Sequence, residues 1–242
     1  MPRWIDDGIV LGTRPFGENS VIMTCFTKDH GLSRGLVKSG RRKASYLQAG
    51  NQLSLTWSAR LEEQLGLWAF EPQGSLGGIL LGHPLALAGL IACLALTETV
   101  LPEREPQTNL YQALLDLFSG FEQDDWFALY VNYEICLLQA AGFRLALQKC
   151  VATGTTENLT YVSPKSGGAV CFEAGAPYKN KLLPLPECLA KGKIVDKNDL
   201  LASLNLTEYF FDRYILEHAS MGLPAARHRF KDMLKKDIAK CA

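Results

Sequence analysis

Hydrophobic and polar positions change their period along the chain. Between residues 8 and 71 the apolar side chains fall in short runs: GIVLGT (8–13), SVIMTCFT (20–27), LSRGLVK (32–38), NQLSLTWSAR (51–60) and LGLWAFE (65–71). NQLSLTWSAR alternates most cleanly, with Leu53, Leu55 and Trp57 on one side and Ser54, Thr56 and Ser58 on the other. A period of two sends successive side chains to opposite faces of a strand. The segments RPFGEN and KDHG read as turns between the first three runs. Five short strands with no long helical period predict a small closed β-barrel, since closure removes edges that invite unwanted pairing.

From Pro84 the period lengthens. PLALAGLIACLALTETVL carries apolar residues at helical spacing and nearly all round, which predicts a buried helix. NLYQALLDLFSGF (109–121) and DDWFALYVNYEICLLQAAGF (124–143) follow, the latter closing at Gly142 near the expected C′ position. Residues 150–192 break the pattern. They are rich in Gly, Pro, Thr and Ser, hold short β-like pieces such as LTYVS, and read as an irregular insert between helices. Thr207 is the expected N-cap of EYFFDRYILEHAS, with Gly222 at its end and Pro224 opening the last helix. In that helix Ala226, Phe230, Met233, Leu234 and Ile238 form an apolar stripe, and Arg227, Lys231 and Lys235 a cationic one. The expected organisation is α+β: a five-stranded barrel over 1–76, then a mostly α-helical domain over 77–242 with the insert at about 150–192.

Composition fits a folded globular chain, 48% hydrophobic and 10% aromatic. Residues 74–97 carry no formal charge, but glycines and the His83–Pro84 pair divide them into a loop and a helix, so no membrane span is expected. The start, MPRWIDDGIV, lacks the basic and apolar regions of a signal peptide, and an intracellular protein is expected. Seven cysteines without regular spacing read as reduced thiols.

The formal charge of zero conceals a separation. Residues 1–71 hold nine basic and seven acidic groups, 72–150 three and eight, and 151–242 thirteen and ten. Within HGLSRGLVKSGRRKAS (30–45) stand Arg34, Lys38, Arg41, Arg42 and Lys43 with no acid among them. Ordinary surfaces mix signs. Cations on a barrel strand and an adjoining loop suit a phosphate backbone, and any exposed ring among Phe16, Tyr46, Trp57 and Trp68 suits base stacking. The loop SGRRKAS has few apolar anchors and is expected to be mobile. A plainly solvated cationic surface is the competing reading.

No nucleotide-cradling GxxxxGK[ST], no GxSxG, no HExxH and no Rossmann fingerprint is present. Histidines 30, 83, 218 and 228 are scattered, and His218 reads as a helix-surface or packing residue. Glu62 and Glu63 read as a solvated strand edge. Catalytic residues are therefore not expected. Cys150 and Cys171 bracket the insert, but Thr153 and Ala174 stand where paired knuckles would place second sulfurs, and Cys188 is wrongly spaced. No bound metal or other cofactor is expected.

Taken together, GIVLGTRPFGENSVIMTCFTKDHGLSRGLVKSGRRK and LQAGNQLSLTWSARLEEQLGLW, the segment CVATGTTENLTYVSPKSGGAVCFEAGAP with LPLP, and YFFDRYILEHASMGLPAARHRF resemble the RecO family of bacterial recombination mediators. The resemblance spans almost the whole chain. It implies an N-terminal OB-fold followed by a helical domain with a zinc-finger-like module. In some members four cysteines of that module bind zinc; here only Cys150 and Cys171 keep their positions. It also implies a non-enzymatic, cytoplasmic, nucleoid-associated DNA repair protein that binds single- and double-stranded DNA and anneals complementary strands. With RecR such a protein helps load RecA on DNA coated by single-stranded-DNA-binding protein, whose acidic C-terminal tail it contacts. The family's basic barrel positions map onto Arg14, Arg34, Lys38, Arg41, Arg42, Lys43 and Arg60. For the tail, Arg144, Arg227 and Lys231 are candidates on charge alone. A protein-interaction scaffold and an RNA-binding barrel are the alternatives.

Overall fold

A computed structural model describes residues 2–38, 40–61, 64–123, 126–194, 196–217 and 221–241, leaving out the side chains of Arg41 and Cys241. The paired glutamates 62 and 63 and His218 lie outside the described residues. The chain forms two compact units, Met1–Asp124 and Asp125–Ala242. The sequence places the change of architecture after residue 76, but the compact units divide later.

The first unit is built on strands β1 (Arg3–Phe16), β2 (Ser20–Thr27), β3 (Gly31–Val37), β4 (Asn51–Ser58) and β5 (Gly66–Ser75). They close into a barrel in the order β1-β2-β3-β5-β4. Strand β1 starts earlier than its apolar run because Trp4 pairs with Trp57, and Trp57 in turn with Trp68. The parallel β3–β5 contact that closes the barrel has two rungs, Gly35 with Gly66 and Leu36 with Leu67. Both glycines are required there. A Cβ on Gly66 would sit 2.1 Å from the Trp57 indole, and one on Gly35 2.8 Å from Trp68. The space beside Gly35 is filled by the barrel's own Trp68.

Val10, Val21, Met23, Cys25, Val37, Leu47, Leu53, Leu55, Trp57 and Trp68 fill the interior. Part of the outer face is buried as well: Ile9, Phe26 and Leu32 are fully covered. Beyond the single turn α1 (Leu76–Ile79), helices α2 (Pro84–Val100) and α3 (Thr108–Glu122) belong to this unit. The Thr24 hydroxyl donates to Glu98 on α2 at 2.8 Å, and the Phe26 ring meets Tyr111 on α3 at 5.5 Å. These contacts on the outside of the barrel explain why the unit runs past residue 76. No helix among the described residues is long and apolar enough to cross a membrane.

In the second unit, α4 (Phe127–Ala140), α7 (Lys197–Phe210) and α8 (Ala225–Cys241) form the helical core, with α7 running on as a π-helical turn over Phe211–Leu216. The insert is ordered. It holds a three-stranded sheet, β7-β6-β8, of β6 (Leu159–Val162), β7 (Ala169–Cys171) and β8 (Leu183–Pro184), with single turns α5 (Phe172–Gly175) and α6 (Glu187–Ala190).

The expected start at Thr207 is corrected. Asp196 caps α7, its carboxylate accepting from the backbone amides of Asn198 and Asp199. Thr207 lies mid-helix, and its hydroxyl donates to the buried carboxylate of Glu134.

Candidate nucleic-acid interface

The cationic residues converge through strand register. Arg14 on β1 faces Ile22 on β2, which faces Leu36 on β3. Lys38 follows two residues on. Two strand spacings separate β1 from β3, about 10 Å, so Arg14 and Lys38 lie at the same end of the barrel although they are 24 positions apart in the sequence. The segment expected to be a mobile loop is a 3-10 helix, Gly40–Leu47. It is ordered because Leu47 enters the barrel core, and because the Asn51 side-chain amide donates to the Ser45 carbonyl at 2.9 Å. Gly40 packs so closely on Val21 that a Cβ there would lie 2.5 Å away. The helix presents Arg42 and Lys43 to solvent at the end where Arg14 and Lys38 are also exposed. Among the described residues none of these four makes an ion pair, although the Lys43 ammonium lies 5.1 Å from the Phe70 ring centroid. Arg41 belongs to the same 3-10 helix through its backbone. Arg60 is exposed past the far end of β4 and does not join the group.

Arg34 departs from the expectation of an unpartnered cation. It is half-buried and forms a salt bridge with Glu103, a residue 69 positions away that no local pattern connects to it. Of the candidate stacking rings, Trp57 and Trp68 are buried inside the barrel, donating their indole N–H groups to the carbonyls of Arg34 and Met23. Phe16 and Tyr46 are about half exposed, at 51% and 48%.

The candidates for an acidic tail also separate. Arg227 is buried in the second unit: its Nε donates to Glu134 at 2.7 Å and its Nη2 at 3.2 Å. Burial pushes its pKa down, but the Glu134 carboxylate more than offsets this and holds the guanidinium above its ordinary range. Lys231 pairs with Glu208 at 2.7 Å. Arg144 alone of the three is exposed.

Around the insert, Cys150 and Cys171 are buried with Val170. The Cys150 sulfur accepts from the Cys171 amide at 3.3 Å, and the Thr153 hydroxyl lies 3.6 Å from the Cys171 sulfur. Burial raises the Cys150 pKa, but hydrogen bonds from the Thr153 hydroxyl and from the amides of Cys171, Ala152 and Thr153 outweigh it, pulling the thiol down to about 6. Among the described residues no group of three or more His, Cys, Asp or Glu side chains is placed to hold a metal.

The strand order and its short parallel closure define the class: an OB-type barrel, here with one cationic end and followed by a helical unit. The N-terminal sequence matches the family model for "Recombination protein O N terminal" over residues 1–69, and the C-terminal part that for "Recombination protein O C terminal" over 82–221. The chain belongs to the RecO family. Among similar proteins are those named DNA repair protein RecO from Rhodospirillum centenum, 42% identical over 97% of this chain and 95% of the relative, and from Ruegeria sp., 42% identical over 97% and 99%. Another, from Chelativorans sp., is 43% identical over 98% of this chain and 97% of its own length.

Proposed function

We propose that the chain is a non-enzymatic DNA-binding mediator of recombinational repair. Its cationic barrel end holds the phosphate backbone of single-stranded DNA and, with less dependence on stacking, of duplexes. The observation that carries this reading is the convergence of Arg14, Lys38, Arg42 and Lys43 on one exposed end of an OB-type barrel, unpaired with carboxylates among the described residues. Arg41 adds to this set by its place in the 3-10 helix. Arg34 and Arg60 contribute less, one held by Glu103 and the other apart.

Two strands held on one cationic surface meet with their mutual repulsion screened, so annealing requires no chemical step and no nucleotide. Family membership supports RecR, the acidic tail of single-stranded-DNA-binding protein and RecA loading as the setting, in the cytoplasm at the nucleoid. With Arg227 and Lys231 engaged internally, Arg144 is the remaining cation of the proposed tail-docking set.

Counterion release tests the reading. Five phosphate contacts on a single strand, Arg41 included, predict that affinity falls about a hundredfold for a fourfold rise in salt. Reversing Arg41, Arg42 and Lys43 to glutamate is expected to abolish annealing and to lower the log–log salt slope by about 2. Unchanged affinity and slope in that variant would remove the proposed surface. RNA and DNA strands of one sequence, titrated side by side, test the RNA-binding alternative.

A further inference from the structure

At the opposite end of β4 from the 3-10 helix, the barrel opens into a cavity of about 320 Å³ lined by Trp4, Asp29, His30, Ser33, Trp57, Arg104 and Pro106. Its size suits one ring system, at the lower limit of small-ligand pockets. Burial orders the lining. Trp57 and Ser33 are buried and form the floor, Trp4 and His30 are half-buried walls, and Asp29, Arg104 and Pro106 are exposed at the rim.

The lining is held in place before any ligand arrives. The His30 ring stacks on Trp4 with centroids 3.9 Å apart, and Trp4 on Trp57 at 5.6 Å. The buried carboxylate of Asp6 fixes His30 Nδ1 at 2.9 Å and accepts from the Asp29 amide at 2.8 Å. The strap 101–107 brings the rim into position: Arg104 donates its amide to the Leu32 carbonyl at 2.8 Å. The Arg104 guanidinium lies 5.5 Å over Trp57.

Charge decides what class of ring fits. Asp29 and Arg104 balance at the rim. Nearby, the Tyr111 phenol is pushed up first by burial and then by Asp7 and Asp6, with Asp29 a smaller contributor. A neutral ring with a polar edge meets aromatic surface below and hydrogen-bonding groups at the rim. A plain phenyl ring has no polar edge to meet the hydrogen-bonding groups of the rim, whereas a base has one.

We propose that this cavity accepts a single unpaired nucleobase from a DNA strand whose phosphates lie along the cationic end. The proposal rests on the reading of the barrel as a single-strand binder. It adds a base-holding site to the phosphate-holding one on the same barrel, within the span of roughly 4–16 nucleotides that an OB barrel covers.

The test uses the full chain and two probes of equal charge, oligothymidylate of about twelve nucleotides and its abasic counterpart. Native protein is expected to bind the base-bearing strand about tenfold more tightly. Trp4→Ala and His30→Ala are each expected to bring that preference towards unity and to leave the salt slope unchanged. Trp4 packs on the core, so His30→Ala serves as the variant that keeps the fold, checked by circular dichroism. Equal native affinity for both probes, or a preference that survives both substitutions, would overturn the cavity assignment and leave the cationic surface standing. A native chain that binds neither probe at low salt would sink both. An acidic peptide ending in Phe that displaces oligothymidylate, and loses binding in Trp4→Ala and His30→Ala, would assign the cavity to a protein partner and overturn the proposal.

Discussion

Arg227, Glu134 and Thr207 come from three different helices of the second unit and meet where no water reaches them. A buried pair of this kind gains little over well-packed apolar residues, whereas loss of one partner strands a charge in a low-dielectric interior. Arg227→Ala is therefore expected to destabilise the helical unit by about 3–5 kcal/mol, read as a lowered denaturation midpoint. Replacing Arg227 with Met and Glu134 with Leu together should recover most of the loss, because no lone charge remains. The burial of Arg227 was partly legible in the sequence. It precedes Phe230 by three positions and Leu234 by seven, and both of those are fully buried, so helical spacing sets it on the apolar face. The cationic repeat Arg227, Lys231, Lys235 hides that face. Its partner, Glu134, lies 93 positions away, and no local pattern announces it. Arg34 is a second case: it reads as free because Glu103 is remote, and the pair exists only once the strap crosses the barrel.

Among the elements, the strands were readable because alternation records which side of each strand is buried. Their limits were not, since β1 gains its first residues by pairing with β4 rather than from its own pattern. The 3-10 helix was illegible for the opposite reason: Leu47, its anchor, is a single apolar residue after a run of polar ones. In the insert, hydrogen bonds to Cys150 favour its thiolate. Because the folded value, about 6, lies below the ordinary 9.0, this contribution to stability is present at high pH and is lost as pH falls through 6. Ultraviolet thiolate absorbance should rise through one step near pH 6. Thr153→Val should move that step upward. Cys25, Cys136 and Cys188, raised by burial, stay protonated there, so a step unmoved by the substitution would assign the thiolate elsewhere.

At the scale of the molecule, neutrality is a sum over surfaces of opposite sign rather than a property of any one of them. Among the described residues, the barrel carries cations in no ion pair at one end, and Asp6, Asp7 and Asp29 with Arg104 around the other. On the proposed reading a strand is drawn in by the cationic end and kept by stacking in the cavity, so affinity and base preference should respond to separate substitutions. The strap 101–107 has a practical consequence for dissection. Gly31 takes a left-handed conformation, φ +65, and a Cβ there would lie 2.0 Å from the Glu105 carbonyl oxygen, so strap and strand are fitted to one another. Cutting after residue 76 would unveil Ile9, Phe26 and Leu32 together with a bare stretch of β3, the kind of edge along which chains stick to each other. A fragment of residues 1–76 should accordingly sediment as aggregates and melt without a sharp transition, whereas 1–123, which keeps the strap and both covering helices, should run as a single cooperative body.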